Sequence, residues 1–148
     1  MDETEARHPE PAWQNPDDDA IRELLLSSRV IAVVGCSPKP ERTSHQIAKF
    51  LIEHGYAVHP VHPAATEILG RKVYPRLADI PEPVDIVDVF RRAEHTPEVA
   101  RQAVDIGARA LWLQQGIVSE EAWRIAREAG LMCVMDRCIA VMHRLLIH

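Results

Sequence analysis

The sequence predicts an α/β domain: a mainly parallel five-stranded sheet with helices on both faces. Three observations lead there. An amphipathic helical run, a glycine and a β run follow one another three times, at His54-Gly55-Tyr56, Ile106-Gly107-Ala108 and Ala129-Gly130-Leu131. The first strand, Val30-Ile31-Ala32-Val33-Val34, is apolar at every position, as a strand covered on both faces must be. Strands and helices alternate through short joints, which favours parallel pairing with helical crossovers. A chain of 148 residues, 47% of them apolar, is long enough for one such domain.

Residues 1–16 carry Pro9, Pro11 and Pro16 among charged residues and read as a flexible N-terminal arm, with Trp13 able to anchor it; residues 17–148 form the domain. Asp17-Asp18-Asp19 offers a cap and first-turn acids to a helix whose inner stripe is Ile21, Leu24, Leu25 and Ser28. After the first strand and Gly35, a helix opens at Thr43 or Ser44, both capping residues, and buries Ile47, Phe50, Leu51 and Ile52. Tyr56 to Val61 is the second strand, closed by His62-Pro63. The stretch from Ala64 to Pro83 fits no plain crossover. It holds a short extended excursion over Ile68–Tyr74 and one helical turn near Leu77–Ile80, and is expected to lie over the ligand edge. Val84–Phe90 supplies a third strand. Thr96-Pro97-Glu98 then opens a helix that stops at Gly107, and Ala108–Leu113 is a strand. Ser119, followed by Glu120 and Glu121, caps the next helix, which stops at Gly130 before the last strand, Leu131–Met135. A final helix lies near Cys138–Leu146.

Composition narrows the function classes. A formal net charge of −5 gives no general nucleic-acid footprint, although local basic spots still bind phosphates. Three cysteines make a poor disulfide framework, the N-terminus is acidic and polar, and the apolar runs fall short of the roughly 18 residues of a membrane span. A cytoplasmic protein without membrane contact is the expectation.

The chemistry concentrates in Gly35-Cys36-Ser37-Pro38-Lys39-Pro40-Glu41-Arg42-Thr43-Ser44. A strand, a glycine turn and a helix start in that order hold anions, usually phosphates, in open parallel sheets. Gly35 admits close approach, Ser37, Thr43 and Ser44 supply hydroxyls, and Lys39 and Arg42 supply charge. The bland alternative is a polar loop with no ligand. The loop is neither a dinucleotide fingerprint, having one glycine, nor a Walker loop, lacking Gly-Lys-Ser/Thr. An NAD site also expects an acid at the end of the second strand, where this chain has His59-Pro60-Val61-His62-Pro63. A ligand whose ribose bears a phosphate meets no such repulsion. His59 and His62 lack a converging third ligand, so no metal is expected. Cys133 and Cys138 do not form a Cys-x-x-Cys pair. No catalytic constellation is visible. Cys36, beside a helix start, is the one nucleophile candidate, and packing in a tight turn is the better reading. Two further strand ends, Val89-Phe90-Arg91 and Gln114-Gln115-Gly116, line the same edge.

Taken together, Ile31–Ser37 with Arg42 and Ser44-His45, Tyr56–Pro63, Gly70–Tyr74, Val84–Phe90, Leu113–Gly116 and Met135–Cys138 give the chain a family likeness over residues 17–146. It resembles the small stand-alone CoA-binding proteins, which are similar to the N-terminal domain of the succinyl-CoA synthetase α subunit and of NDP-forming acyl-CoA synthetases. The resemblance implies a Rossmann-like three-layer fold that binds coenzyme A or an acyl-CoA. The phosphates would lie on Gly35, Cys36, Ser37, Lys39, Arg42, Thr43 and Ser44. The adenosine would lie near His59, Pro60, His62, Pro63, Lys72 and Val73, and the pantetheine would pass Val89, Phe90 and Arg91 toward Gln115 and Gly116. The synthetases carry further domains that this sequence lacks, so their activity is not expected here. The leading expectation is a CoA-binding protein without catalysis. The alternatives are an NAD(P)- or nucleotide-dependent enzyme or redox regulator, and a trans-acting subunit of an acyl-CoA synthetase. A protein partner is neither required nor excluded by the sequence.

Overall fold

The computed structural model describes residues 13–148. Helix α1 (Asp18–Ser27) starts on Asp17, whose side chain accepts the Ala20 amide at 2.8 Å. It leads into β1 (Val30–Val34), α2 (Thr43–Glu53) and β2 (Ala57–Val61). A two-strand hairpin follows, β3 (Glu67–Ile68) and β4 (Arg71–Lys72), then a 3-10 turn over Leu77–Asp79. The second half runs β5 (Ile86–Val89), α3 (Thr96–Asp105), β6 (Ala110–Leu113), α4 (Glu120–Glu128), β7 (Met132–Val134) and α5 (Ile139–Leu146). The main sheet has the order β2-β1-β5-β6-β7, and every pair in it is parallel. The five parallel strands and the helices on both faces are those the sequence predicts.

The layers follow from alternation along the strands. Ile31, Val33, Ile86, Ala110, Trp112 and Val134 pack under α1, α2 and α5. Val30, Ala32, Val34, Val87, Val89, Leu111 and Leu113 pack under α3 and α4, where Ala100, Ala103, Ala122 and Ala126 let the helices come close. Five consecutive buried residues in β1 are the signature of a strand with a helix layer on each side. The helix-ending glycines Gly55, Gly107 and Gly130 have φ of +92°, +71° and +86°, conformations that close a helix without Cβ strain.

Local details differ from the sequence reading. Thr43 and Thr96 are the first helical residues and not the caps. Arg42 occupies the cap position of α2 without a side-chain bond, and the Thr96 hydroxyl donates back to Ala93 O at 2.7 Å. Ser28 caps the C-terminus of α1 and does not extend its stripe. Ser119 caps α4 as expected, accepting the Ala122 amide at 3.1 Å.

Both sheet edges are occupied beside the loops. Tyr74 N–H donates to Pro60 O, and His62 N–H to Tyr74 O, so the excursion after β2 returns to pair with that edge strand. At the other edge the Asn15 amide side chain both donates to Met135 O and accepts its N–H, each at 2.8 Å. Trp13 is half-buried against the α3–α4 layer, whereas the arm proper, residues 1–12, lies outside the described residues. Asp85 ties the start of β1 to β5: its Oδ2 accepts the amides of Arg29 and Val30 at 2.8 and 2.9 Å. No helix among the described residues is long and apolar enough to cross a membrane.

Candidate functional site

The C-terminal edge of the sheet lies where β1 ends at Gly35, β2 at His62 and β5 at Phe90. In a parallel sheet this is the edge where crossovers leave a crevice for ligands. Gly35 turns the chain with φ of +81°, and its N–H donates to Val61 O at 3.0 Å. The loop then bonds largely to itself. Ser37 N–H donates to Ser44 Oγ at 2.9 Å, Lys39 N–H to Ser37 Oγ at 3.1 Å, and Ser37 O lies 2.9 Å from His45 Nδ1. These bonds set the loop shape and take up the Ser37 and Lys39 amides. The amides of Cys36, Thr43 and Ser44 have no partner among the described residues, so the unfilled backbone donors are fewer.

Two cavities meet at this edge. One, of about 460 Å³, is lined by Gly35, Ser37, Pro38, Lys39, Arg42, Thr43, Ser44, His62 and Phe90. The other, of about 290 Å³, lies on the α3 side and includes Gly35, His62, Pro63, Arg76, Arg91 and His95. They share Gly35 and His62. His62 Nδ1 accepts the amides of Ala64 and Ala65 at 3.1 and 2.9 Å, which places the proton of the neutral ring on Nε2 and makes that nitrogen a donor. Lys39, Arg42 and Arg91 are exposed, and among the described residues none of them has a carboxylate partner. The remaining arginines nearby are engaged: Arg76 pairs with Asp79 at 3.2 Å and Arg92 with Glu94 at 4.0 Å.

The structure thus brings Gly35, Ser37, Lys39, Arg42, Thr43, Ser44, His62 and Phe90 around one cavity, with Pro63 and Arg91 in the adjoining one. The other sequence candidates lie elsewhere. Cys36 is fully buried, pointing into the α2 layer. Its thiol is pushed up to about 12, first by burial and then by the charge of Asp88, which makes it a packing group and a poor nucleophile. Pro60, Val73 and Val89 are buried, and Lys72 is exposed, its ammonium 5.3 Å from the Tyr74 ring. His59 sits mid-strand with Nε2 2.6 Å from Glu82 Oε2. Gln115 and Gly116 are exposed, and Gly116 N–H donates to Asp136 Oδ1 at 2.7 Å. Among the described residues no three His, Cys, Asp or Glu side chains converge as metal ligands would.

Sequence reasoning missed several groups. Arg76, Glu94, His95 and Glu98 line the α3-side cavity. The signal was topological: a helix that follows a parallel strand presents its N-terminus at the ligand edge, so the Arg91–Glu98 run belongs there. Asp88 was also missed. It lies within an apolar strand, fully buried, and among the described residues neither carboxyl oxygen has a hydrogen-bond partner. Burial raises its carboxyl well above the ordinary carboxylate range. A larger cavity, of about 640 Å³, opens beside β7 between Asn15, Trp123 and Arg127, but the glycine in its lining, Gly130, ends α4 ahead of β7 and does not follow a strand.

Comparison with known proteins agrees with this geometry. Residues 29–144 match the family described as a CoA binding domain. The protein YneT of Bacillus subtilis (strain 168), described as uncharacterized, is 45% identical over 130 residues, covering 88% of this chain and 96% of that one. The α subunit of acetate–CoA ligase (ADP-forming) I from Pyrococcus furiosus is 34% identical over 95 residues, 60% of this chain but 21% of the ligase subunit. Among solved structures, a hypothetical protein from Pyrococcus horikoshii OT3 superposes with a TM-score of 0.88 at 41% identity, covering 96% of this chain and 99% of that one. A dinucleotide-forming acetyl-coenzyme A synthetase from Ca. Korarchaeum cryptofilum superposes with a TM-score of 0.69 at 27% identity, over 77% of this chain and 27% of the synthetase. This chain therefore belongs to the CoA binding domain family, as a five-stranded Rossmann-like member homologous to the CoA-binding domain of ADP-forming acetyl-CoA synthetases.

Proposed function

We propose that the protein binds coenzyme A or an acyl-CoA through the Gly35 loop and performs no chemistry of its own. One observation carries the reading: Lys39, Arg42 and Arg91, none with a carboxylate partner among the described residues, surround two cavities joined at Gly35 and His62. Unpaired cations concentrated at one glycine turn in a chain of net charge −5 suit a ligand with several phosphates. The end of β2 offers His62 and Pro63 where a dinucleotide site offers a carboxylate, so a phosphate on the ribose is tolerated. The buried Cys36 thiol speaks against a redox role for that residue.

A calorimetric titration with CoA, dephospho-CoA, NAD and ADP tests the reading. CoA is expected to bind most tightly, and dephospho-CoA more weakly. Equal binding of NAD and CoA, or binding of neither, would overturn it.

A second reading, a subunit that completes a larger ligase in trans, has one observation in its favour. Val141 and Leu145, four apart on α5, are 43% and 62% exposed. Two such side chains cover far less than the roughly 800 Å² per partner of a stable interface, so self-sufficient binding takes precedence. Size-exclusion chromatography of the protein mixed with a purified ATP-grasp ligase subunit, with and without CoA, separates the two.

A further inference from the structure

At the end of the sheet opposite the ligand edge, α5 packs on α2 through a group of rings. His143 is 8% exposed and lies edge-on to three of them, with centroids 5.5 Å from Phe50, 5.0 Å from His54 and 5.8 Å from Tyr56. His54 stacks on Phe50 at 3.9 Å, with its Nδ1 2.8 Å from Phe50 O. The polar groups around this contact are His54 and three arginines. From α2 there is His54, and from α5 itself Arg144, whose guanidinium lies 5.0 Å from the Phe50 ring. From α1 there is Arg22, donating to Leu146 O at 3.1 Å, and Arg29, itself paired with Glu82 at 3.1 Å, lines the small cavity beside both histidines. The Tyr56 hydroxyl is taken up by Leu25 O at 2.7 Å. Among the described residues no carboxylate pairs with His143.

We propose that His143 is a proton-operated latch: the neutral ring holds α5 against α2, and the protonated ring releases it. A charged imidazole there would be largely buried beside arginines, with no carboxylate among the described residues paired to it. Burial first, and the charge on His54 second, hold the His143 imidazole below the ordinary histidine range. The sign follows. The unlatched helix binds a proton more readily than the latched one, so latching is fully favourable above the ordinary histidine value and is lost as pH falls through the folded one. The far end of the same helix is joined to the ligand edge, because Ile139 N–H donates to Gln114 Oε1 at 3.2 Å and Trp112 Nε1 to Arg137 O at 2.8 Å. Acid release of α5 would therefore loosen the Gln114 wall of that edge.

The test needs no ligand, so it stands or falls separately from CoA binding. NMR titration of the parent protein, with hydrogen exchange of amides 140–146 at pH 7.5, 6.5 and 5.5, reads both events. Protection factors of the α5 amides should fall with pH by up to about tenfold per pH unit in step with His143. β1 and β5 should keep theirs. In His143→Gln the pH dependence of α5 protection should disappear, while in His54→Gln it should persist. His143 titrating at or above the ordinary value, or α5 protection that ignores its titration, would overturn the proposal. Should His143→Gln fail to fold, the parent measurements still decide.

Discussion

Gly35 and Phe90 meet backbone to backbone: a Cβ built on Gly35 would stand 2.5 Å from the Phe90 carbonyl oxygen. The contact closes β1 against β5, since Phe90 N–H also donates to Val34 O at 2.9 Å. Neither carbonyl nor amide has room to move without disturbing the sheet. Gly35→Ala is expected to cost about 2 kcal/mol or more, combining the clash with the positive φ. Urea unfolding measures the loss. A CoA titration of whatever remains folded should show weaker binding than the parent, and an unchanged Kd would remove the turn from the site.

Arg42 and Lys39 are exposed and make no ion pair among the described residues, so removing them should leave stability within about 0.5 kcal/mol. If they face phosphates, Arg42→Ala and Lys39→Ala each weaken CoA binding by about tenfold, the worth of one charge-assisted hydrogen bond. The loss should shrink at high salt. Calorimetry at two ionic strengths checks both statements. An Arg42→Ala protein that binds as the parent does takes that residue out of the site.

Asp88 is a buried acid with no hydrogen-bond partner among the described residues, and its folded value is raised. Stability from this group is therefore full below the unfolded aspartate value, about 3.9, and falls as pH rises toward the folded value, by about 1.4 kcal/mol per unit. Asp88→Asn should remove that slope. At pH 7.5 the variant is expected to be more stable than the parent by about 1–3 kcal/mol, and near pH 4 to lose that advantage. Urea unfolding of both proteins at pH 4.5 and 7.5 gives the difference. An unchanged slope would mean that the carboxyl is not held neutral.

Asp85 plays the opposite part. Its carboxylate accepts two backbone amides at the start of β1 and lies 3.8 Å from Arg109. Asp85→Ala leaves those amides without their acceptor and should cost about 1–3 kcal/mol, with little change in ligand affinity, since the residue lies at the other end of the sheet.

The three cysteines should differ in reactivity. Cys36 and Cys133 are buried and both pushed up to about 12, chiefly by burial. Cys138 is half-buried at the start of α5. Titration of the native protein with a thiol reagent at pH 8 should label Cys138 alone, and the other two only after unfolding. Rapid native labelling of Cys36 would reopen a chemical role for the loop.

The sheet was legible because its rules are local and repeated. Gly55, Gly107 and Gly130 mark helix ends by a backbone conformation that few other residues adopt, and an unbroken apolar β1 marks a strand with two covered faces. Asp17 and Ser119 were legible as caps for the same local reason. Thr43 and Thr96 were not, because a cap depends on which residue leaves helical geometry: Arg42 is the extended residue before α2, and a 3-10 turn over Ala93–His95 runs straight into Thr96. In the site, the loop residues from Gly35 to Ser44 were legible as a contiguous cluster. His59 was not separable from His62 by type, and only the register, with His59 opposite Ala32 in mid-sheet, divides them. Arg76, Arg91 and His95 come together through the tertiary path of two connections, which no local pattern records.

The pairing of Tyr74 with β2, and of Asn15 with the chain just after β7, has a consequence for how the sheet meets other chains. An open sheet ends in unsatisfied strands that recruit other chains and seed aggregation. In the acetate–CoA ligases the homologous region spans about a fifth of the chain. Here both margins are stopped by short local segments, one a returning excursion and the other a single amide side chain. Substituting Asn15 should therefore make concentrated solutions less well behaved without touching the ligand edge: the fold carries its own selvedge.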